Sequence, residues 1–153
     1  MNTSKNVEQV SEQFVERFSE LLDEVGKNAY TVSKEIGCGN STLSHYLTKR
    51  HLPKLIIAIK LADYFNCTLD YLLGRKDENY ATEFKPCPEF GKHFDDICKK
   101  LKVSRSRLHD DTNIAESVMR YWIKGKTKPS VFSLTQIADA LNVSIDFLIG
   151  REA

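Results

Sequence analysis

NCTLDYLLGR, at Asn66–Arg75, returns as NVSIDFLIGR at Asn142–Arg151. The two stretches lie 76 residues apart, and the same shift lays most of the chain on itself with no gap. Phe14 falls on Phe90, Phe18 on Phe94, Ser41 on Ser117, Tyr46 on Trp122 and Pro53 on Pro129. About 11 of the 62 paired positions are identical, and most others keep apolar opposite apolar. A register that survives two loops without insertion marks a duplicated domain. The organisation expected is a first domain over 1–75 with its core in 14–75, a linker over 76–89, and a second domain over 90–153.

Each copy reads as short helices. Phe14, Phe18, Leu21, Leu22 and Val25 recur at helical spacing and mark one apolar face. Gly26 can end that helix and Asn28 can cap the next. A second helix is expected from about Ala29 to Ile36, stopped by Gly37, and a third from about Asn40 to Thr48 with Leu43, Tyr46 and Leu47 inward. Pro53 opens a fourth, where a missing N–H costs little, and Leu55, Ile59, Leu61 and Ala62 are its buried side. Thr68 caps a last turn, Leu69 to Leu73, closed by Gly74. Copy two repeats the plan with Ser104 and Ser144 as caps. Its Asn113, the side chain that best tolerates left-handed backbone after Gly, stands opposite Gly37. No segment alternates as a strand does. The fold class expected is all-α, two tandem five-helix domains.

Composition narrows the function. No apolar run approaches the roughly 18 residues that span a bilayer. The polar start MNTSKNVEQVSEQ lacks the apolar core of a signal peptide, so a cytosolic location is expected. Net charge is only +1, but it is unevenly spread. Residues 14–75 hold 8 Lys and Arg against 7 Asp and Glu, whereas 90–151 hold 11 against 7. Cys38, Cys67, Cys87 and Cys98 form no C-x-x-C pair and read as reduced, buried thiols, Cys98 on a stripe with Phe94 and Leu101. A zinc site from Cys87, His93 and Cys98 lacks ligand spacing, so no metal or other cofactor is expected. His51, His93 and His109 have no carboxylate or Cys partner at useful spacing, and no nucleophile–base pair or phosphate loop suggests an enzyme.

The stretch VMRYWIKGKTKPS, Val118–Ser130, changes character within three residues, from apolar helix to Gly, three Lys and Pro. With IGCGNSTLSHYL (36–47) and TNIAESVMRYWIKGKTKPS (112–130), each followed by the shared ending, the chain resembles the Cro and phage-repressor family of helix-turn-helix domains. The resemblance implies lambda-repressor-like domains whose third helix enters the DNA major groove. It implies base-reading roles for Asn40, Ser41, Ser44 and His45 in copy one, and for Glu116, Ser117, Arg120 and Tyr121 in copy two. Asn suits adenine, Arg120 suits guanine, and Glu116 can accept from cytosine N4. Phosphate clamps would be Lys49, Arg50, Arg105, Lys124, Lys126 and Lys128, with Met119 and Trp122 anchoring the helix and Gly125 reversing the chain.

Several positions depart from that pattern, among them the acidic Asp110 and Asp111 on the second copy's second helix. Lys49 replaces the family's Gly, Ala29 stands at a phosphate-binding cap, and His109 stands where a small residue lets two helices approach. The function expected is a sequence-specific, double-stranded DNA-binding transcriptional regulator, acting as a repressor by occupying an operator. A homodimer would need one copy as the interface or a longer site. The chain ends one turn after the second copy, so no small-molecule domain and no ligand are expected. A linker of 14 residues, fully extended, reaches roughly 45 Å, enough for modules on successive turns of B-DNA, about 34 Å apart. The rival from another class is an antitoxin or anti-activator that uses one copy to hold a protein partner.

Overall fold

The computed structural model describes residues 5–80 and 83–152, and among these the regular structure is all helix. The chain divides into two units, Met1–Ala81 and Thr82–Ala153. The first holds α1 (Val7–Val25), α2 (Ala29–Ile36), α3 (Thr42–Lys49), α4 (Leu55–Phe65) and α5 (Leu69–Leu72). The second holds α6 (Phe90–Lys100), α7 (Arg105–Thr112), α8 (Glu116–Ile123), α9 (Val131–Leu141) and α10 (Ile145–Ile149).

Backbone conformation repeats with the sequence. Gly26, Gly37, Asn66 and Gly74 are left-handed, and so are their counterparts Lys102, Asn113, Asn142 and Gly150. The caps repeat too: Asn28 accepts from the Thr31 N–H and Ser104 from the Arg107 N–H, Thr68 from Tyr71 and Ser144 from Phe147. Turn chemistry therefore sets where these helices begin and end in both copies.

Several boundaries differ from the sequence expectation. Helix α1 begins at Val7, a full two turns before the apolar face, because Asn6 and Gln9 form a reciprocal capping box. Pro53 and Pro129 do not open the fourth helices; each is buried one residue before the N-cap, Lys54 or Ser130. Helix α3 starts at Thr42 instead of Asn40 and runs on through Lys49. In copy two Gly125 takes the left-handed turn, but Lys49 stands at that position, so α3 continues and Arg50 reverses the chain at φ 55°.

The core of the first unit gathers Phe14, Phe18, Val32, Leu43, Leu61 and Leu72, and the second gathers Phe94, Leu108, Met119, Leu134, Ile137 and Leu148. Val25 and Leu101 were expected in these cores, yet both are exposed, since each ends its helix where the chain turns away. Leu55 and Ile59 are only half-buried. The shared endings add an unexpected polar element. Asp70 pairs with Arg75 at 2.8 Å, and Asp146 pairs with Arg151 at 2.7 Å.

Much of the expected linker is docked. The Lys76 N–H donates to Asp70 O, and the Asn79 side chain both accepts from the Thr68 N–H and donates to Asn66 O. On the second unit, the Lys85 N–H donates to Arg151 O, and the Phe84 ring lies 3.8 Å from the Arg151 guanidinium. Residues 81 and 82, between these two docked segments, lie outside the described residues.

Candidate nucleic-acid interface

In the second unit α7, a three-residue turn and α8 form a helix-turn-helix. Side chains brace the turn. Thr112 Oγ1 donates to Leu108 O at 2.6 Å and accepts from the Ile114 N–H at 3.2 Å. His109 Nδ1 lies 2.9 Å from Ile114 O, a contact that needs the proton on that nitrogen. The ring that departs from the family pattern thus ties α7 to the turn that leads into α8.

Helix α8 divides cleanly by face. Met119 is fully buried and Trp122 nearly so, the indole meeting Phe90 and Phe94 edge-on at 6.0 and 5.8 Å. Glu116, Ser117, Arg120 and Tyr121 point the other way and are exposed. Helix α6 crosses the end of α8 so closely that a Cβ on Gly91 would stand 2.1 Å from Trp122 O. Gly125 then reverses the chain at φ 74°, and Lys124, Lys126 and Lys128 emerge beside the exposed face. None of the three lysines has a carboxylate partner among the described residues. Lys126 leans over the Tyr121 ring at 5.8 Å. Arg105, the first residue of α7, is exposed too. An open groove lies between the end of α6 and the starts of α7 and α8, lined by Asp95, Lys99, Lys102, Arg105 and Glu116.

The first unit presents a different surface. Gly37–Ser41, five residues, separates α2 from α3. Asn40 and Ser41 therefore stand in the turn, exposed and off the helix, while Ser44 is half-buried and only His45 is an exposed helical member of the set. Lys49 is exposed, but the Arg50 guanidinium is gripped by both oxygens of Glu12. That hydrogen-bonded pairing lowers the Glu12 carboxyl pKa and raises that of Arg50.

Residues 19–72 match the helix-turn-helix family model, and residues 93–153 match that of the Cro/C1-type HTH DNA-binding domain. The chain is a tandem pair of Cro/C1-like helix-turn-helix domains. That family marks a DNA-binding regulator. No curated protein and no solved structure matched the chain.

Other groups in these domains serve the fold. His93 Nε2 lies 3.0 Å from Phe147 O, where the first domain has the Arg17 guanidinium against Tyr71 O. Cys67 and Cys98 are buried, and burial pushes the Cys98 thiol up to about 11. Cys38 and Cys87, expected to be buried, are half-buried. Among the described residues no cluster of His, Cys, Asp or Glu could hold a metal, and no helix is long and apolar enough to cross a membrane. Gly91 and the Glu12–Arg50 pair escaped sequence reasoning. The first had a local signal, a Gly inside an apolar helical face opposite Val15; the second joins residues 38 apart and had none.

Proposed function

We propose that these tandem domains bind a duplex operator sequence-specifically and repress transcription by occupying it, with the second domain supplying the stronger grip. The observation that carries this reading is the two-sided build of α8. A Met119–Trp122 anchor fixes one face, while Glu116, Ser117, Arg120 and Tyr121 stand exposed beside three lysines that have no acidic partner among the described residues. Arg120 would read guanine, Glu116 would accept from cytosine N4, and Arg105, Lys124, Lys126 and Lys128 would neutralise phosphates on either side. The first domain would add a second, dissimilar contact through Asn40, Ser41, Ser44 and His45, with Lys49 on the backbone. One chain alone then favours an operator with unlike halves, and a homodimer a longer site.

A second reading has its own support in the first domain. Its five-residue turn takes Asn40 and Ser41 off the helix, which favours a protein-binding role of the antitoxin or anti-activator kind for that copy. One experiment separates the two. Duplexes are selected from a random pool with the intact chain, with Arg120→Ala and with Asn40→Ala. If each substitution relaxes preference in a different half of the site, both copies read DNA. If Asn40→Ala changes nothing, the first domain holds a partner. If the intact chain selects no sequence at all, the operator reading is lost.

A further inference from the structure

We infer that Glu12 occupies the place of a DNA phosphate on Arg50, so that the amino-terminal extension of α1 holds back the first domain's grip on the duplex. This rests on the DNA-binding reading above and adds a residue that limits affinity. Arg50 is the C-cap of α3, at the end of the helix that carries His45. Its repeat partner in the second domain is Lys126, which meets no carboxylate among the described residues. Glu89 lies against Gly125 there without pairing to a lysine.

The extension is what differs between the copies. Glu12 stands on the part of α1 that precedes Phe14, and the corresponding residue in the second domain is Pro88, before α6 begins. The second domain therefore has no helical residue at the position from which Glu12 grips Arg50. The chemistry of the pair fits substitution by a phosphate. A carboxylate gripping a guanidinium through two oxygens offers the same two-pronged anionic acceptor that two oxygens of a phosphate offer. Both side chains are about half exposed, at 47% and 48%, and exposed ion pairs hold weakly. A duplex can therefore displace Glu12, but only against competition.

The test measures binding of the full-length chain to a mixed-sequence duplex across a salt series. It compares wild type with Glu12→Gln, Arg50→Gln and the double variant, and uses Glu8→Gln as a control that removes the same charge one turn away. Glu12→Gln is expected to tighten binding several-fold at low salt and to steepen the log–log salt slope by roughly 0.9, as one added phosphate contact does. Arg50→Gln alone should weaken binding by less than Glu12→Gln strengthens it, because Glu12 already competes for that guanidinium, and in the double variant the gain should vanish. Glu8→Gln should not reproduce it. Wild-type binding that Glu12→Gln leaves unaltered overturns the inference, as does a gain that survives Arg50→Gln or is matched by Glu8→Gln. Absence of duplex binding in every form overturns this inference and the DNA reading together.

Discussion

Arg151 donates to Asp146 at 2.7 Å with both side chains wholly shielded from solvent, whereas the matching Arg75–Asp70 pair keeps its arginine partly exposed. In each copy the Arg N–H also returns to the carbonyl of the same Asp, so charge and backbone close one loop around the last helix. Breaking a buried pair by removing one partner leaves an uncompensated charge. Asp146→Asn is expected to cost the second domain roughly 3–5 kcal/mol, and Asp70→Asn less in the first. Trp122 is the chain's single tryptophan, so its fluorescence through a urea titration follows the second domain alone. A midpoint unmoved by Asp146→Asn contradicts this assignment.

Gly91 is needed for close approach rather than for backbone freedom. A Cβ there would meet Trp122 O at 2.1 Å and Ile123 O at 2.9 Å, and neither is a flexible side-chain end. Helix α6 must shift or α8 must move. Gly91→Ala should lower stability by about 1–3 kcal/mol despite the better helix propensity of Ala, and should redshift Trp122 emission as the indole loosens. In the first domain the same position is a buried Val15, so Val15→Ala should act as an ordinary cavity substitution. A stabilised Gly91→Ala variant contradicts the packing described.

The repeat, the helix order and most caps were legible because each depends on local chemistry. Asn28, Thr68, Ser104 and Ser144 cap from within their own turns, and Gly37 and Asn113 need only their own backbone. The recognition segment of copy one was harder. Its boundaries hinge on one exchange, Lys49 for Gly125, which moves the left-handed residue to Arg50 and goes with the longer turn before α3. The start of α1 had a local signal in Asn6 and Gln9, masked by a polar face that reads as solvated tail. The docking of Phe84 onto Arg151 joins residues 67 apart and left no trace in periodicity.

That docking makes the segment before α6 part of the second domain. Phe84 covers the guanidinium of the buried pair, and the Lys85 N–H donates to Arg151 O at 2.8 Å. Phe84→Ala should destabilise the second domain by about 1–2 kcal/mol, combining lost apolar cover with a lost cation–π contact. The first-domain transition, followed by far-ultraviolet dichroism, should stay in place. Equal loss in both domains contradicts a contact local to the second.

Burial makes the Cys98 thiol a poor acid, with its pKa pushed up to about 11. The group is thus held neutral in the folded chain while an unfolded thiol ionises near 9. Its contribution to stability is full below about 9 and disappears as pH rises through about 11. Alkylation at pH 8 should modify half-buried Cys38 and Cys87 well before Cys98, with mass mapping to assign each adduct. Early modification of Cys98 in folded protein runs against this ordering.

The lysine loop and the exposed face of α8 should separate by kind of effect. Lys124, Lys126 and Lys128 are flexible point charges beside the helix, suited to phosphates that carry no sequence information. Replacing any one by Gln should weaken every duplex alike and reduce the salt slope by roughly 0.9. Arg120→Ala should instead cost about 1–3 kcal/mol on the preferred duplex and little on others, since a guanidinium on guanine distinguishes one base pair from the rest. Lys126 carries an additional expectation, because it leans on Tyr121 and its loss frees that ring. A slope that falls with Arg120→Ala but holds through all three lysine substitutions would exchange the roles of loop and helix, and the surface would have to be rebuilt around Arg120 as a phosphate ligand.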